Sequence, residues 1–187
     1  MREMTFPEMI VIDWERERPD LKDSGIHVTF RLYALVMEIG YQFAEIASQE
    51  GVQLEDMLQL FALRRRGDPY CLRPTEVRSM LSLTSGAATY RIERLVKQGL
   101  CERKPDPSDR RSYVLRVVPK GMNVIDRTVE AVAVASSKVL TASGLTATQL
   151  ATFLEYLTCI EAGWETIIPA SENPLARRGG VTSGSKK

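Results

Sequence analysis

The feature that most constrains this chain is a junction where two helical stretches, three residues apart, run directly into a turn-rich β-hairpin. Proline suits a first helical turn, so Pro74 opens a short predicted helix over Thr75–Leu81. Ser82, Leu83 and Thr84 separate it from a second helix, Ser85 to about Gln98. There Ala88, Ile92, Leu95 and Val96 recur at helical spacing and Gly99 ends the run. Such a pair is a helix-turn-helix candidate, although helical hairpins in general share the pattern. The next two segments narrow the choice. Leu100–Lys104 and Ser112–Val118 are β-prone, the second alternating Val114, Arg116 and Val118 against Tyr113, Leu115 and Val117. Between them PDPSDRR, residues 105–111, has two prolines and two aspartates to force a turn and two arginines at its far side. A β-hairpin placed directly after a helix-turn-helix makes a winged helix.

The flanking regions read as helices. A short one is expected around Phe6–Arg16, in an acidic segment of net −3 up to Ser24, with Pro19 ending or redirecting it. Leu32, Leu35, Val36, Ile39, Phe43, Ile46 and Ala47 mark a second, closed by Gly51. Leu54–Arg65 forms a third with Leu54, Leu58, Phe61 and Ala62 facing inward, and residues 64–69 make a basic turn. Beyond the hairpin, Met122, Ile125, Val129, Val132, Ser136 and Val139 repeat like a heptad seam. After Gly144 a second stripe runs from Leu145 through Phe153, Leu154 and Leu157 to Trp164. The tail 169–187 is rich in Gly, Ser and basic residues and reads as disordered. The fold class is therefore mainly α with a small β-hairpin wing.

Charge is local. The whole chain of 187 residues carries only +1, yet Thr84–Gly121 holds nine basic against four acidic residues, a local +5. Positive charge concentrated on the winged helix is what phosphate binding requires. Ser85, Gly86, Ala87 and Ala88 are small enough to let a helix N-terminus enter a major groove closely.

Other functions are poorly served. One histidine, His27, and three scattered cysteines, Cys71, Cys101 and Cys159, offer no zinc-ligand spacing, and the cysteines fit a reducing compartment better than a disulfide framework. No phosphate loop, dinucleotide fingerprint or nucleophile elbow is present, so neither an enzyme, a cofactor nor a metal is expected. No apolar run reaches the length of a membrane span, and acids interrupt the apolar patch near Met1, so a soluble cytoplasmic chain is expected.

Residues 83–121, LTSGAATYRIERLVKQGLCERKPDPSDRRSYVLRVVPKG, resemble the recognition helix and wing of the MarR family of bacterial transcription regulators, and the likeness extends over about residues 25–165. Its sharpest part is the D-x-R of the wing, Asp109 and Arg111. The resemblance implies a homodimer with one winged helix per protomer: an arm over 1–24, a regulator domain over 25–168 with a DNA-binding lobe at 54–121, and dimerisation helices at 25–50 and 122–168. Ser85, Gly86, Ala87, Thr89, Tyr90 and Arg94 on the helix, with Asp109, Arg110 and Arg111 on the wing, are then the implied contacts to a pseudo-palindromic operator. Arg111 would enter a minor groove, with Asp109 orienting it. DWERERPDL (13–21) and TSGAATYRIERL (84–95) further resemble the urate-responsive subgroup of that family. The matching ligand positions are Trp14, Asp56, Arg91 and Arg103. A tryptophan face and two arginine forks suit a small anionic aromatic or purine. Three positions depart from the subgroup: Tyr90 for asparagine, Ala88 for methionine, and Arg73 for the serine that caps the helix before Pro74. The expected function is a dimeric repressor released by ligand. Alternatives are a winged-helix interaction or architectural module without ligand response, and a cysteine-based oxidation sensor.

Overall fold

The computed structural model of the protein describes residues 6–21, 24–81 and 83–167, the side chains of residues 6, 7 and 110 excepted. The tail 169–187 lies outside the described residues. The chain forms two compact units, one ending at Gly51 and the other starting at Val52.

The first unit is a helical hairpin of α1 (Phe6–Glu17) and α2 (Ile26–Gln49), joined through a 3-10 turn that Pro19 starts. Trp14 stacks on Phe30 with ring centroids 6.2 Å apart, and Arg31 reaches Glu8 at 3.5 Å. His27 lies 3.6 Å from Glu15. α2 leaves Tyr33, Val36, Met37 and Tyr41 exposed to solvent.

The second unit holds α3 (Leu54–Arg65), β1 (Cys71–Leu72), α4 (Pro74–Met80), α5 (Ser85–Lys97), β2 (Cys101–Asp106), β3 (Asp109–Val117), α6 (Pro119–Ser143) and α7 (Ala147–Ile167). Its sheet is antiparallel in the order β1-β3-β2, with Cys71 opposite Arg116 and Cys101 opposite Val117. Met57, Leu60 and Leu63 of α3, Val77 of α4, Ile92 and Leu95 of α5, Leu72 and Leu115 of the sheet, and Ile125 of α6 are fully buried. Each contributes on the order of 1.5–3 kcal/mol by leaving water.

Three sequence expectations change here. Just after the basic turn, where the sequence marked no strand, lies β1, placed by a reversal at Gly67–Tyr70 in which the Tyr70 amide donates to the Gly67 carbonyl at 2.7 Å. The wing turn is far tighter than residues 105–111. The strands run to Asp106 and Asp109, leaving Pro107 and Ser108 at the corner, with a bulge between Pro105 and Asp106. In α3 Ala62 is buried as expected, but Met57, Leu60 and Leu63 fill the core, Leu54 and Phe61 are half-buried and Leu58 is exposed, because apolar residues occur all round this helix and its periodicity is weak.

The join between wing and α6 is close. Val118 donates its amide to the Leu100 carbonyl at 3.2 Å, and Lys120 Nζ donates to the Gln98 carbonyl at 2.9 Å. A Cβ on Gly121 would lie 2.1 Å from that same Leu100 oxygen, so only glycine lets the helix pass the turn.

Candidate nucleic-acid interface

Helix α5 begins where its sequence predicts because Thr84 caps it, its hydroxyl oxygen accepting from the Ala87 amide at 3.3 Å. Ala88, Ile92 and Leu95 anchor the helix in the core, which turns Ser85, Gly86, Thr89 and Tyr90 outward to solvent, with Ala87 half-buried. A Cβ at Gly86 would meet nothing within 4 Å, so packing does not demand glycine there. The open surface instead gives a partner access to the backbone. Thr89 donates its hydroxyl to the Ser85 carbonyl at 3.0 Å. Arg78 of α4, exposed and unforeseen from sequence, donates to Ser85 Oγ at 3.1 Å and brings a cation beside the N-terminus of α5. Helix spacing alone does not show that contact, because it crosses the turn between two helices.

Arg94 sits differently from the expectation that it contacts DNA. Its Nε and Nη2 donate to Asp56 Oδ1 at 3.0 and 2.7 Å, and Nη1 donates to Gln53 Oε1. Asp56 is fully buried, and a carboxylate without water needs a cation and hydrogen bonds, so the arginine is drawn inward to it. Its guanidinium also lies 5.5 Å from the Tyr90 ring centroid. Arg94 therefore ties α5 to α3.

On the wing, Asp109 Oδ1 accepts from the backbone amide of Arg111 at 2.9 Å. The expected carboxylate–guanidinium bond is thus replaced by one that fixes the backbone under Arg111, whose side chain is exposed. The Arg110 side chain lies outside the described residues. Asp106, behind the corner, is almost completely buried and has four donors. Arg73 Nε and Nη2 reach it at 2.5 and 3.4 Å, and the Ser108 amide and hydroxyl each donate at 2.8 Å. Arg73, then the Ser108 amide and hydroxyl, hold its carboxyl well below the usual carboxylate range.

The four ligand candidates divide between the units. Trp14, partly exposed, is in the first, on Phe30. In the second, Asp56 is paired with Arg94, and its Oδ2 has no hydrogen-bond partner. Gln59, one turn further along α3 and fully buried, likewise leaves both side-chain polar atoms unpartnered. Arg91 is half-buried and makes no ion pair or side-chain hydrogen bond to the described residues. Arg103 lies over the Tyr113 ring at 5.0 Å and 3.8 Å from Glu93. Burial, and then the charge of Asp56, push the Cys101 thiol up to about 12. Among the described residues no group of three His, Cys, Asp or Glu side chains could hold a metal ion, and no helix is long and apolar enough to cross a membrane.

Comparison with known proteins agrees with this geometry. A model of the MarR family matches residues 50–112. The HTH-type transcriptional regulator PecS of Dickeya dadantii is 31% identical over 121 residues, which is 65% of this chain and 73% of that protein. The multiple antibiotic resistance protein MarR of Escherichia coli is 36% identical over 87 residues, 46% of this chain and 59% of that protein. The crystal structure of apo wild-type MarR from E. coli superposes with a TM-score of 0.59 at 27% identity, over 70% of this chain and 93% of that one. A cysteine-to-serine mutant of the same protein, complexed with operator DNA, gives 0.61 at 22% identity over 79% of this chain and 96% of that one, a likeness of fold.

Proposed function

Because the chain belongs to the MarR family, we propose that it acts as a homodimeric repressor, bound to a pseudo-palindromic operator and released by a small anionic aromatic or purine ligand such as urate. Its family is one of DNA-binding transcription regulators, which sets enzymatic readings aside. The observation that carries the proposal is the outward face of α5: Ser85, Gly86, Thr89 and Tyr90 stand clear of the core, in a lobe whose segment 84–121 has a net +5. That face suits a major groove, and Arg111 on the fixed backbone of the wing suits the neighbouring minor groove.

Dimerisation is supported by α6 and α7. Not one residue of α7 is buried, although Phe153, Leu154, Tyr156 and Trp164 are on it, and α6 exposes Val129, Val134, Val139 and Leu140. Apolar surface of that extent marks an interaction site. Ligand response is supported by Arg91, a half-buried cation on the helix proposed to read DNA that has no anionic partner among the described residues. Moving it toward an anion would disturb the reading surface, so ligand and DNA binding would be linked. Oxidation sensing through Cys101 is disfavoured, because a thiol with a pKa near 12 supplies almost no thiolate.

The test is a titration of the full chain against duplex DNA from its own upstream region, with and without urate at fixed salt, beside a scrambled duplex. Selective binding that urate weakens is expected. Arg111→Ala should weaken DNA binding without urate and lower the steepness of log K against log salt by at most about 0.9, the value for one neutralised phosphate. Binding no better than to the scrambled duplex would favour an interaction module instead.

A further inference from the structure

We propose that Arg73 is a positioning residue for the wing: its guanidinium clamps the corner of the β2–β3 hairpin to the start of α4 and so sets where Arg111 meets DNA. The effect on DNA rests on the proposed regulator function, whereas the clamp itself is a property of the free protein.

Arg73 occupies the N-cap of α4, where a short side-chain acceptor serves best and an arginine has no acceptor to offer. Capping is handled in part by Glu76, whose Oε2 accepts from the Arg73 amide at 2.8 Å. The Arg73 side chain is thereby free for the wing, 33 and 35 residues away in sequence. Nε and Nη2 hold Asp106, and Nη2 also donates to Ser108 Oγ at 2.7 Å. Ser108 extends the tie, since its hydroxyl and amide both donate to Asp106 Oδ1. The corner therefore closes around one buried carboxylate that two elements share.

The wing needs such a tie because of its register. β1 pairs with β3 only at Arg116 and Leu115, so from Val114 outward β3 is bonded to β2 alone. A two-stranded ribbon is marginal on its own and free to twist. Among the described residues, Arg73 provides the side-chain hydrogen bonds that run from the tip, 106–111, to another element. The bridge is about half exposed at the arginine end, so its energetic worth is small while its geometric consequence is large. Arg111 lies within five residues of the clamped carboxylate.

Arg73→Ser separates this role from helix capping, because serine restores a capping hydroxyl while removing the fork. In the full chain, hydrogen exchange over residues 105–111 should become about threefold to fivefold faster, with the exchange of α5 and the melting temperature nearly unchanged. Asp106→Asn, which removes the shared charge, should accelerate the same segment. In DNA titrations Arg73→Ser should lose several-fold in affinity and about 0.9 in salt slope, as expected when the protein neutralises one phosphate fewer. Wing exchange equal to that of the unmutated chain would overturn the clamp. Faster exchange with unchanged affinity and salt slope would overturn its role on DNA. Failure of the unmutated chain to select any duplex would count against the regulator function, while the exchange measurement, made without DNA, decides the clamp by itself.

Discussion

At the scale of single residues, the carboxylates Asp56 and Asp106 each recruit an arginine that the sequence does not assign to them. Asp56 is fully buried and Arg94 is largely covered, so truncating the cation strands a charge in the core. Arg94→Ala should cost about 3–5 kcal/mol in urea unfolding, and Asp56→Asn less, since it removes the charge that needs compensation. Asp106 gives a pH dependence whose direction is set by its lowered pKa. Its unfolded value is about 3.9, so the stabilisation is complete above that pH and is lost only as the pH falls through the lower folded value. The wing corner should therefore keep its bonds at about pH 4, as the carbon chemical shift of the Asp106 carboxyl would show. A carboxyl that titrates at the unfolded value would contradict this. Neither pairing was legible in the sequence. Arg91 and Arg94 are one helical turn apart with similar surroundings in the chain, and only the packing of α3 decides that Arg94 takes Asp56. Arg73 stands out in the sequence as an unusual cap, but its partner comes from a strand 33 residues on.

Among the elements, those with a strong period or a defined terminus could be read directly. The limits of α5 follow from the Thr84 cap and Gly99, and α6 follows from its Pro119 start and its Gly144 stop at φ +69°. The strands were harder. β1 is two residues long and shows no alternation, so only its pairing with β3 reveals it. The prolines and aspartates of 105–111 signal a turn, but they overstate its length, because Asp106 and Asp109 act at strand ends and not in a loop. Gly121 shows how elements constrain each other. Gly121→Ala would place a methyl on the Leu100 carbonyl, at 2.1 Å before any relaxation. It should destabilise the lobe by roughly 1–3 kcal/mol, as expected for an overpacked contact, measurable as a lowered denaturation midpoint. Thr84→Ala should cost about 1 kcal/mol through loss of the cap on α5.

For the whole molecule, the winged-helix class was legible because helix-turn-helix and hairpin are contiguous in sequence. The partition at Gly51 was not, since it depends on which helices pack together. The exposed apolar helices carry the prediction at this scale. Leu154→Glu, on a helix with no buried residue, should leave the fold intact while shifting the sedimentation velocity from that of the proposed dimer toward that of a monomer. An unchanged sedimentation coefficient would move the interface off α7. The seam at Gly121 bears on motion as well as on stability. α6 is 25 residues of uninterrupted helix, about 37 Å long, held at its root by the Leu100 and Gln98 carbonyls. A rod held in this way acts as a lever. A tilt of about 5° about that root would correspond to roughly 3 Å of arc at the far end, so a shift of that size at Val139 or Leu140 would reach the winged-helix lobe as a rotation and not as a translation.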